Sequence, residues 1–520
     1  MNSGLPDGSI AEEIGIPTAE VSQIIHRMTI PQYDRRDYFE FDRRDEPVKF
    51  FPGKLADALT GYERVLTLRD THEIYFCSDG CYRPNGEVWI QEKVGHILGS
   101  YFQTITSHQL NEVVTHLRVR TREDYTVFSR DPNLLPLKNG MFDLATGTLK
   151  RYDTGAFRFD YQLPVSYNPD ATCPNIDEFI EDITLTKVEA QRLFELPAFC
   201  MSPEYFVKKG WMLCGDGDNA KTTYLRTMTS FLGPENCSSV SLQDLVSNRF
   251  ATAELRGKLA NIYDDLQSRA LKDTGKFKVL TGGSYADYEV KYGGRGKFLN
   301  MAKLIFSCNQ IPDASEDSTA FFTRWEIQDF PILFVVGLQL DVSTKLCKPA
   351  KDRERLISSL TTIDELSGLL NKAIPILARL REQGSFTASK AVDEVRAQYI
   401  QKSNSLKAFG IEKCVLSSEV GKDLIVRKQD FMDAYHAYCS EKGLPKKLAN
   451  VVGLELPTLF PHANIRPGRT KVIYGEHLDR QEQAWYGIDL KDGWKERVAA
   501  HEERKKSLES FTEDTGEGEQ

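Results

Sequence analysis

The stretch Met212–Thr223, MLCGDGDNAKTT, constrains this chain more than any other. It nearly spells Gly-x-x-x-x-Gly-Lys-[Ser/Thr], a backbone loop that wraps phosphates between a strand and a helix. Gly215, Lys221 and Thr222 keep the required spacing, and Ala220 stands where the second glycine is expected. Such a loop works only when a buried strand feeds it and a helix leaves it, because backbone N–H groups and the helix N-terminus carry the anion. The motif therefore dictates what its flanks must be.

The flanks comply. GWMLC, ending at Cys214, reads as a short buried strand. Downstream, Leu225, Met228, Phe231 and Leu232 recur at helical spacing, and Gly233-Pro234 is a stop. In this frame Gly215, Asp216, Gly217, Asp218, Asn219, Ala220, Lys221, Thr222 and Thr223 line a nucleotide, with Lys221 on the β and γ oxygens and the Thr222 hydroxyl on Mg²⁺. Alanine at 220 costs only a methyl group if its φ is negative, and is unfavourable if the loop needs a left-handed residue there.

About forty residues after Lys221 comes GKLANIYDDL, where Leu259 to Tyr263 reads as a strand ending on Asp264 and Asp265. Acidic residues at such a strand end are where Mg²⁺ is held and the attacking water oriented; the bland alternative is a solvated turn. Lys303 to Cys308 is a further buried strand, ending on Asn309, whose amide is placed to reach a γ-phosphate. Arg324, ahead of the strand WEIQDF, is either a structural ion-pair partner or an arginine finger offered to a neighbouring subunit. Between these lies YADYEVKYGGRGKFLN, an alternating segment turning at a glycine-rich tip that carries Lys291, Arg295 and Lys297. Such a tip suits close approach to a phosphate chain, and equally a solvated turn.

Around this core, 520 residues suggest two to four domains. With 41% hydrophobic and 27% charged residues the composition is that of a soluble protein. No apolar run approaches the ~18 residues a membrane span needs, so no membrane partner and a cytoplasmic location are expected. The net charge of −9 speaks weakly against nucleic acid, although a local basic surface is compatible with it. Ten scattered cysteines without zinc-type spacing read as reduced thiols.

The expected organisation is an N-terminal segment (1–64) with a helix-turn-helix-like piece, SIAEEIGIPTAEVSQIIHRM; an α+β region (65–190); the chemistry-bearing region (191–350); a helical linker (351–384); a C-terminal domain (385–490); and a charged tail (491–520). In the second region EIYFCSDGCYRPNGEVWI reads as two strands around Pro84-Asn85-Gly86, and LLPLKNGMFDLATGTLKRY as strands with turns at Asn139-Gly140 and Thr146-Gly147. In the C-terminal domain Phe431, Ala434, Tyr435 and Tyr438 share one helix face. Beyond them, a helix opening with Lys446 and Lys447 and a strand pair carrying Arg466, Arg469 and Lys471 suggest a winged helix.

These blocks in this order resemble the superfamily 3 helicases, and within them the phage/plasmid primase-helicase C-terminal family that includes the poxvirus primase-helicase. GDGDNAKTT is similar to that family's Gly-x-Gly-x-Asn-Gly-Lys-Ser-Thr, and FKVLTGGSYADYEVKY and AKLIFSCNQIP to later family blocks. The resemblance implies an α/β fold: an AAA+-like P-loop ATPase core with an α+β domain before it and a winged-helix domain after it. It implies ATP and Mg²⁺, a homo-oligomeric, hexameric ring, single-stranded or forked DNA as partner, and a separate primase or other replication proteins. Lys221 and Thr222 would match the P-loop pair, Asp264 and Asp265 the acidic motif, Asn309 the sensor and Arg324 the finger given in trans. The Lys291–Lys297 tip would match the hairpin that grips DNA. Ala220 and Ser284 depart from the pattern, which has glycine and aspartate there. Priming is not expected, since roughly seventy residues precede the matching part and a primase fold needs more chain. The implied function is a DNA helicase or translocase in replication of a virus, provirus or plasmid. The rivals are a DNA-binding initiator or repressor with a vestigial ATP site, and a packaging or signalling NTPase.

Overall fold

A computed structural model describes residues 33–493, apart from 216, 269–270, 272–273, 292–293, 315–317, 336–346, 421–423, 443 and 474–475. The helix-turn-helix-like piece and nearly all of the charged tail lie outside the described residues. The fold is mixed α/β with several separate sheets. The chain divides into two compact units: the described parts of Met1–Gln162 with Val290–Gly296, and of Leu163–Glu289 with Lys297–Gln520.

In the first unit, helices Pro52–Tyr62, Gly86–Leu98 and Ser107–Arg120 share a core in which Leu55, Leu59, Ile90, Val94, Leu98, Val113 and Leu117 are fully buried. Beside them runs a four-stranded sheet in the order Cys81–Arg83, Ile74–Ser78, Val65–Leu68, Arg122–Glu123. The expected turn at Pro84-Asn85-Gly86 is corrected here. The strands Ile74–Ser78 and Cys81–Arg83 turn instead at Asp79-Gly80, and Gly86 opens a helix. Proline closes the strand, Asn85 takes the left-handed conformation (φ 64°), and Ile90, Val94 and Leu98 then recur at helical spacing. Gly86 has to be glycine, since a Cβ there would lie 2.7 Å from the Ile74 carbonyl oxygen. The meander Leu134–Leu137, Gly140–Asp143, Thr148–Lys150 forms as its turn residues suggest.

The second unit is built on a parallel sheet. Its strands, in chain order, are β1 (Gly210–Cys214), β2 (Cys237–Ser238), β3 (Ala260–Tyr263), β4 (Lys303–Cys308) and β5 (Trp325–Asp329), and their spatial order is β2-β3-β4-β1-β5. Every residue of β1 and β4 is buried, as expected of central parallel strands covered on both faces. The continuous apolar runs WMLC and LIF are thus explained. Helix α1 (Lys221–Leu232) leaves β1 through the glycine-containing loop and stops at Gly233, whose φ of 92° an L-residue would resist.

Further along, helix Lys428–Lys442 buries Phe431, Ala434, Tyr435 and Tyr438, the face expected from their spacing. A three-stranded antiparallel sheet follows, with Glu476–Tyr486 between Ile425–Arg427 and Arg466–Ile473. Lys446 and Lys447 precede the helix Ala449–Leu459 and do not open it.

Candidate functional site

Parallel register assembles the site. Cys214 is paired with Cys308, and Tyr263 with Phe306. The chain therefore delivers Gly215, Asp264 and Asn309 together at the C-terminal edge of three adjacent strands, the edge where open α/β sheets bind ligands. A cavity of about 710 Å³ lies there, lined by Gly217 through Thr223, Asp264, Asp265, Ser307 and Asn309. Asp216 lies outside the described residues.

The loop is held by its own side chains. Asn219 Nδ2 donates to the carbonyl of Phe330 just past β5 (3.2 Å), and Phe330 N–H donates back to Cys214 (2.8 Å). The nearly buried Lys221 donates from Nζ to the Gly215 carbonyl, to Asn219 Oδ1 (3.0 Å) and to Asn309 Oδ1 (3.4 Å). Its ammonium thus stands where the loop, the start of α1 and the end of β4 converge, surrounded by oxygen acceptors.

Ala220 meets the unfavourable condition. It is left-handed, φ 65° and ψ 8°, at the N-cap of α1. Of the two cases that the sequence left open, the costly one applies: an L-residue pays roughly 1–2 kcal/mol in this region. Asp218, at φ 57°, is left-handed as well.

On the acidic side, Asp264 is half-buried and Asp265 exposed. Asp265 is left-handed, with φ 58°. Its N–H donates to Asp264 Oδ1 (3.0 Å) and to Ser307 Oγ (3.2 Å), and Ser307 Oγ in turn donates to Asp264 Oδ1. At the base of the loop Cys214 and Cys308 face each other, Sγ to Sγ 3.9 Å, and burial, together with Cys308, pushes the Cys214 thiol well above its ordinary range. None of the ten cysteines is in a disulfide.

Arg324 does not join this cluster. It precedes β5, and its carbonyl accepts from Gly210 N–H at the start of β1 (2.7 Å), which puts it at the opposite edge of the sheet. Its Nη1 lies 3.5 Å from Thr281 Oγ1. Lys291, Arg295 and Lys297 are exposed on the hairpin formed by Tyr285–Glu289 and Arg295–Leu299, while Tyr292 and Gly293 at its tip lie outside the described residues. Ala286, Tyr288 and Phe298 turn inward from the same strands.

Two features escaped the sequence reading. One is Ser307, a lone hydroxyl in the apolar run LIFSC; its type was the signal, but its partner depended on register. The other is a wall of Phe179, Phe334, Val335 and Leu356 with Lys351 and Arg353, drawn from far-apart segments. Lys351 bonds Glu178 (2.8 Å) and Asp182 (3.1 Å), which hold its ammonium above the usual lysine range.

Comparison with known proteins finds two family matches. A family described as "D5 N terminal like" matches residues 59–185, and a family of unknown function, DUF5906, matches residues 213–324. The second match begins at β1 and ends at Arg324, so it spans every expected nucleotide residue. Together the two matches give the chain a likeness to the primase-helicase replication proteins of phages and viruses. No curated protein matches it. Among solved structures, the chain is similar to the A-form apo structure of the NrS-1 C-terminal region at 10% identity, over 83% of this chain and 97% of that one, with a TM-score of 0.42. A second structure of that region, residues 305–718, matches at 12% identity over 80% of this chain and 88% of that one, with a TM-score of 0.42. Among the described residues no helix is long and apolar enough to cross a membrane.

Proposed function

We propose that this chain is an ATP-driven DNA helicase or translocase acting in replication of a virus, provirus or plasmid, with a P-loop ATPase core of the superfamily 3 kind. The observation that carries the reading is the convergence of Lys221, Thr222, Asp264, Asp265 and Asn309 on one cavity at the strand ends. A loop with backbone N–H groups, a helix N-terminus and a buried lysine is a site for polyphosphate. The donor set, a threonine hydroxyl and a carboxylate, is all oxygen and suits Mg²⁺. Thr222 and Asp264 would hold the ion, which when bound offsets charge on the phosphate oxygens. Lys221 binds and orients the β and γ oxygens, Asp265 orients the attacking water, and Asn309 senses the terminal phosphate. The apolar wall of Phe179, Val335 and Leu356 gives a nucleobase a surface to lie on.

In this reading the exposed cations Lys291, Arg295 and Lys297 grip the DNA backbone, and Arg324, remote from its own cavity, serves the ATP of the next subunit in a homo-oligomeric ring. The helices and three-stranded sheet after residue 404 would form the winged-helix domain. The deciding experiment is steady-state ATP hydrolysis with and without single-stranded DNA, beside Lys221→Ala. DNA-stimulated turnover that falls by about a hundredfold or more in the variant supports the motor. Binding without turnover supports the second reading, an initiator or repressor with a vestigial ATP site, which the left-handed Ala220 favours. Turnover indifferent to DNA argues for a packaging or signalling NTPase. Replacing Lys291 and Lys297 by alanine should spare hydrolysis and impair unwinding; unchanged unwinding would remove the hairpin from the mechanism.

A further inference from the structure

Ser307 is fully shielded from solvent, polar, and set in a strand otherwise built of apolar side chains and one lysine. A hydroxyl buried there needs partners, and it has two of opposite kind. It accepts from Asp265 N–H (3.2 Å) and donates to Asp264 Oδ1. Its backbone carbonyl accepts from Leu266 N–H (2.7 Å), so the turn after β3 is fastened to β4 by both the backbone and the side chain of one residue. The Asp265 N–H also reaches Asp264 Oδ1 (3.0 Å). Both donors thus converge on a single carboxylate oxygen, and Oδ2 takes no hydrogen bond among the described residues.

We infer that Ser307 is a positioning residue for Asp264, setting the carboxylate plane so that Oδ2 is presented to the cation of a bound nucleotide. This inference rests on the proposed nucleotide site. The carboxylate torsion of aspartate is intrinsically broad, so two donors on one oxygen are what fix its plane. An ionised carboxylate only accepts, so the proton in the bond between Ser307 and Asp264 comes from the serine. Ser307 sits in the cavity wall with no solvent-exposed surface, and its hydroxyl is engaged by Asp264 and Asp265.

The test is a Mg²⁺ titration of the full-length protein with a non-hydrolysable ATP analogue, followed by calorimetry, for wild type, Ser307→Ala, Ser307→Thr, Asp264→Asn and the Asp264→Asn/Ser307→Ala pair. Loss of such a supporting hydrogen bond should raise the Mg²⁺ midpoint about 10–100-fold in Ser307→Ala. Metal-free affinity for the analogue, measured in chelator, should change by less than about twofold, because phosphate binding is separate from the carboxylate. Adding Ser307→Ala to Asp264→Asn should cost nothing more, since residues acting as one unit are not additive. Ser307→Thr, which keeps the hydroxyl, should recover most of the midpoint. A Ser307→Ala midpoint within about threefold of wild type, or a defect that adds in full to Asp264→Asn, would overturn the inference. Absence of Mg²⁺-dependent binding in the wild type would instead overturn the nucleotide reading on which it stands.

Discussion

Gly215 and Asn219 interlock: a Cβ built on Gly215 would lie 2.0 Å from Asn219 Nδ2 and 2.7 Å from the Phe330 carbonyl oxygen. Gly215 is therefore required by close approach and not by its φ, which is unremarkable. Asn219 occupies the space a side chain would fill, and uses it to tie the loop to Phe330 and to Lys221.

Gly215→Ala should accordingly break the loop. The amide of Asn219 is a movable side-chain end, but the Phe330 carbonyl is backbone and cannot yield cheaply. Overpacking of this kind costs about 1–3 kcal/mol. Urea unfolding should show that loss, and a fluorescent ATP analogue should bind more weakly. Gly217→Ala is the control, because a Cβ there meets nothing within 4 Å; equal effects at both positions would refute the interlock.

Ala220→Gly should stabilise the protein. Relief of the left-handed conformation returns about 1–2 kcal/mol, from which the extra unfolded-state freedom of glycine removes roughly 0.5–1 kcal/mol. A net change between about zero and a gain of about 1.5 kcal/mol is expected by denaturant unfolding. Ala220→Val should lose stability, since a β-branched residue resists positive φ more strongly. Stabilisation by valine would contradict the φ of 65° at this position.

Much of this site was legible in the sequence because parallel strands announce themselves. GWMLC and KLIFSC are buried throughout and LANIY is buried up to a half-buried Tyr263; they lead into Gly215, Asn309 and Asp264, and the strands end within a residue or two of where their patterns stop. What pattern does not carry is register and backbone sign. The Ser307–Asp264 bond depends on Tyr263 lying opposite Phe306. The wall of Phe179 and Leu356 comes from helices Pro174–Ile183, before β1, and Arg353–Leu360, after β5. The φ of Ala220 is fixed by the loop and not by alanine. The misplaced turn at Pro84-Asn85-Gly86 has a related cause: Asn-Gly marks a hairpin only when strands flank it, and here the Ile90, Val94, Leu98 repeat makes the following segment a helix.

Arg324 should behave as a residue of the neighbouring site. Arg324→Ala is expected to lower turnover by a factor on the order of 10³. Mixed with Lys221→Ala protein, it should regain part of that turnover, because some interfaces then combine an intact Lys221 with an intact Arg324. No recovery on mixing, at protein concentrations where both variants assemble, would assign Arg324 to its own subunit's structure.

Lys303 gives the fold a pH dependence that can be isolated. Its ammonium is wholly buried at the start of β4, donating to the Ser202 carbonyl and lying 5.1 Å from the centre of the Phe199 ring. Burial lowers its pKa from 10.5 to about 7. Between those values the unfolded chain binds more protons than the folded one, so this lysine makes stability rise with pH across the window; below pH 7 both states carry the charge and the penalty is complete. Each unit of difference is worth about 1.4 kcal/mol, which puts the whole effect at a few kcal/mol. Lys303→Met keeps the chain length and removes the charge. Denaturant unfolding from pH 6 to 9 should find the variant more stable than wild type at pH 6, with the gap closing by about 3 kcal/mol toward pH 9. Burial pushes the Cys200 thiol beside Lys303 well up, and losing the lysine's charge pushes it further in the same direction. A gap that stays constant across that range would mean that Lys303 keeps one protonation state throughout.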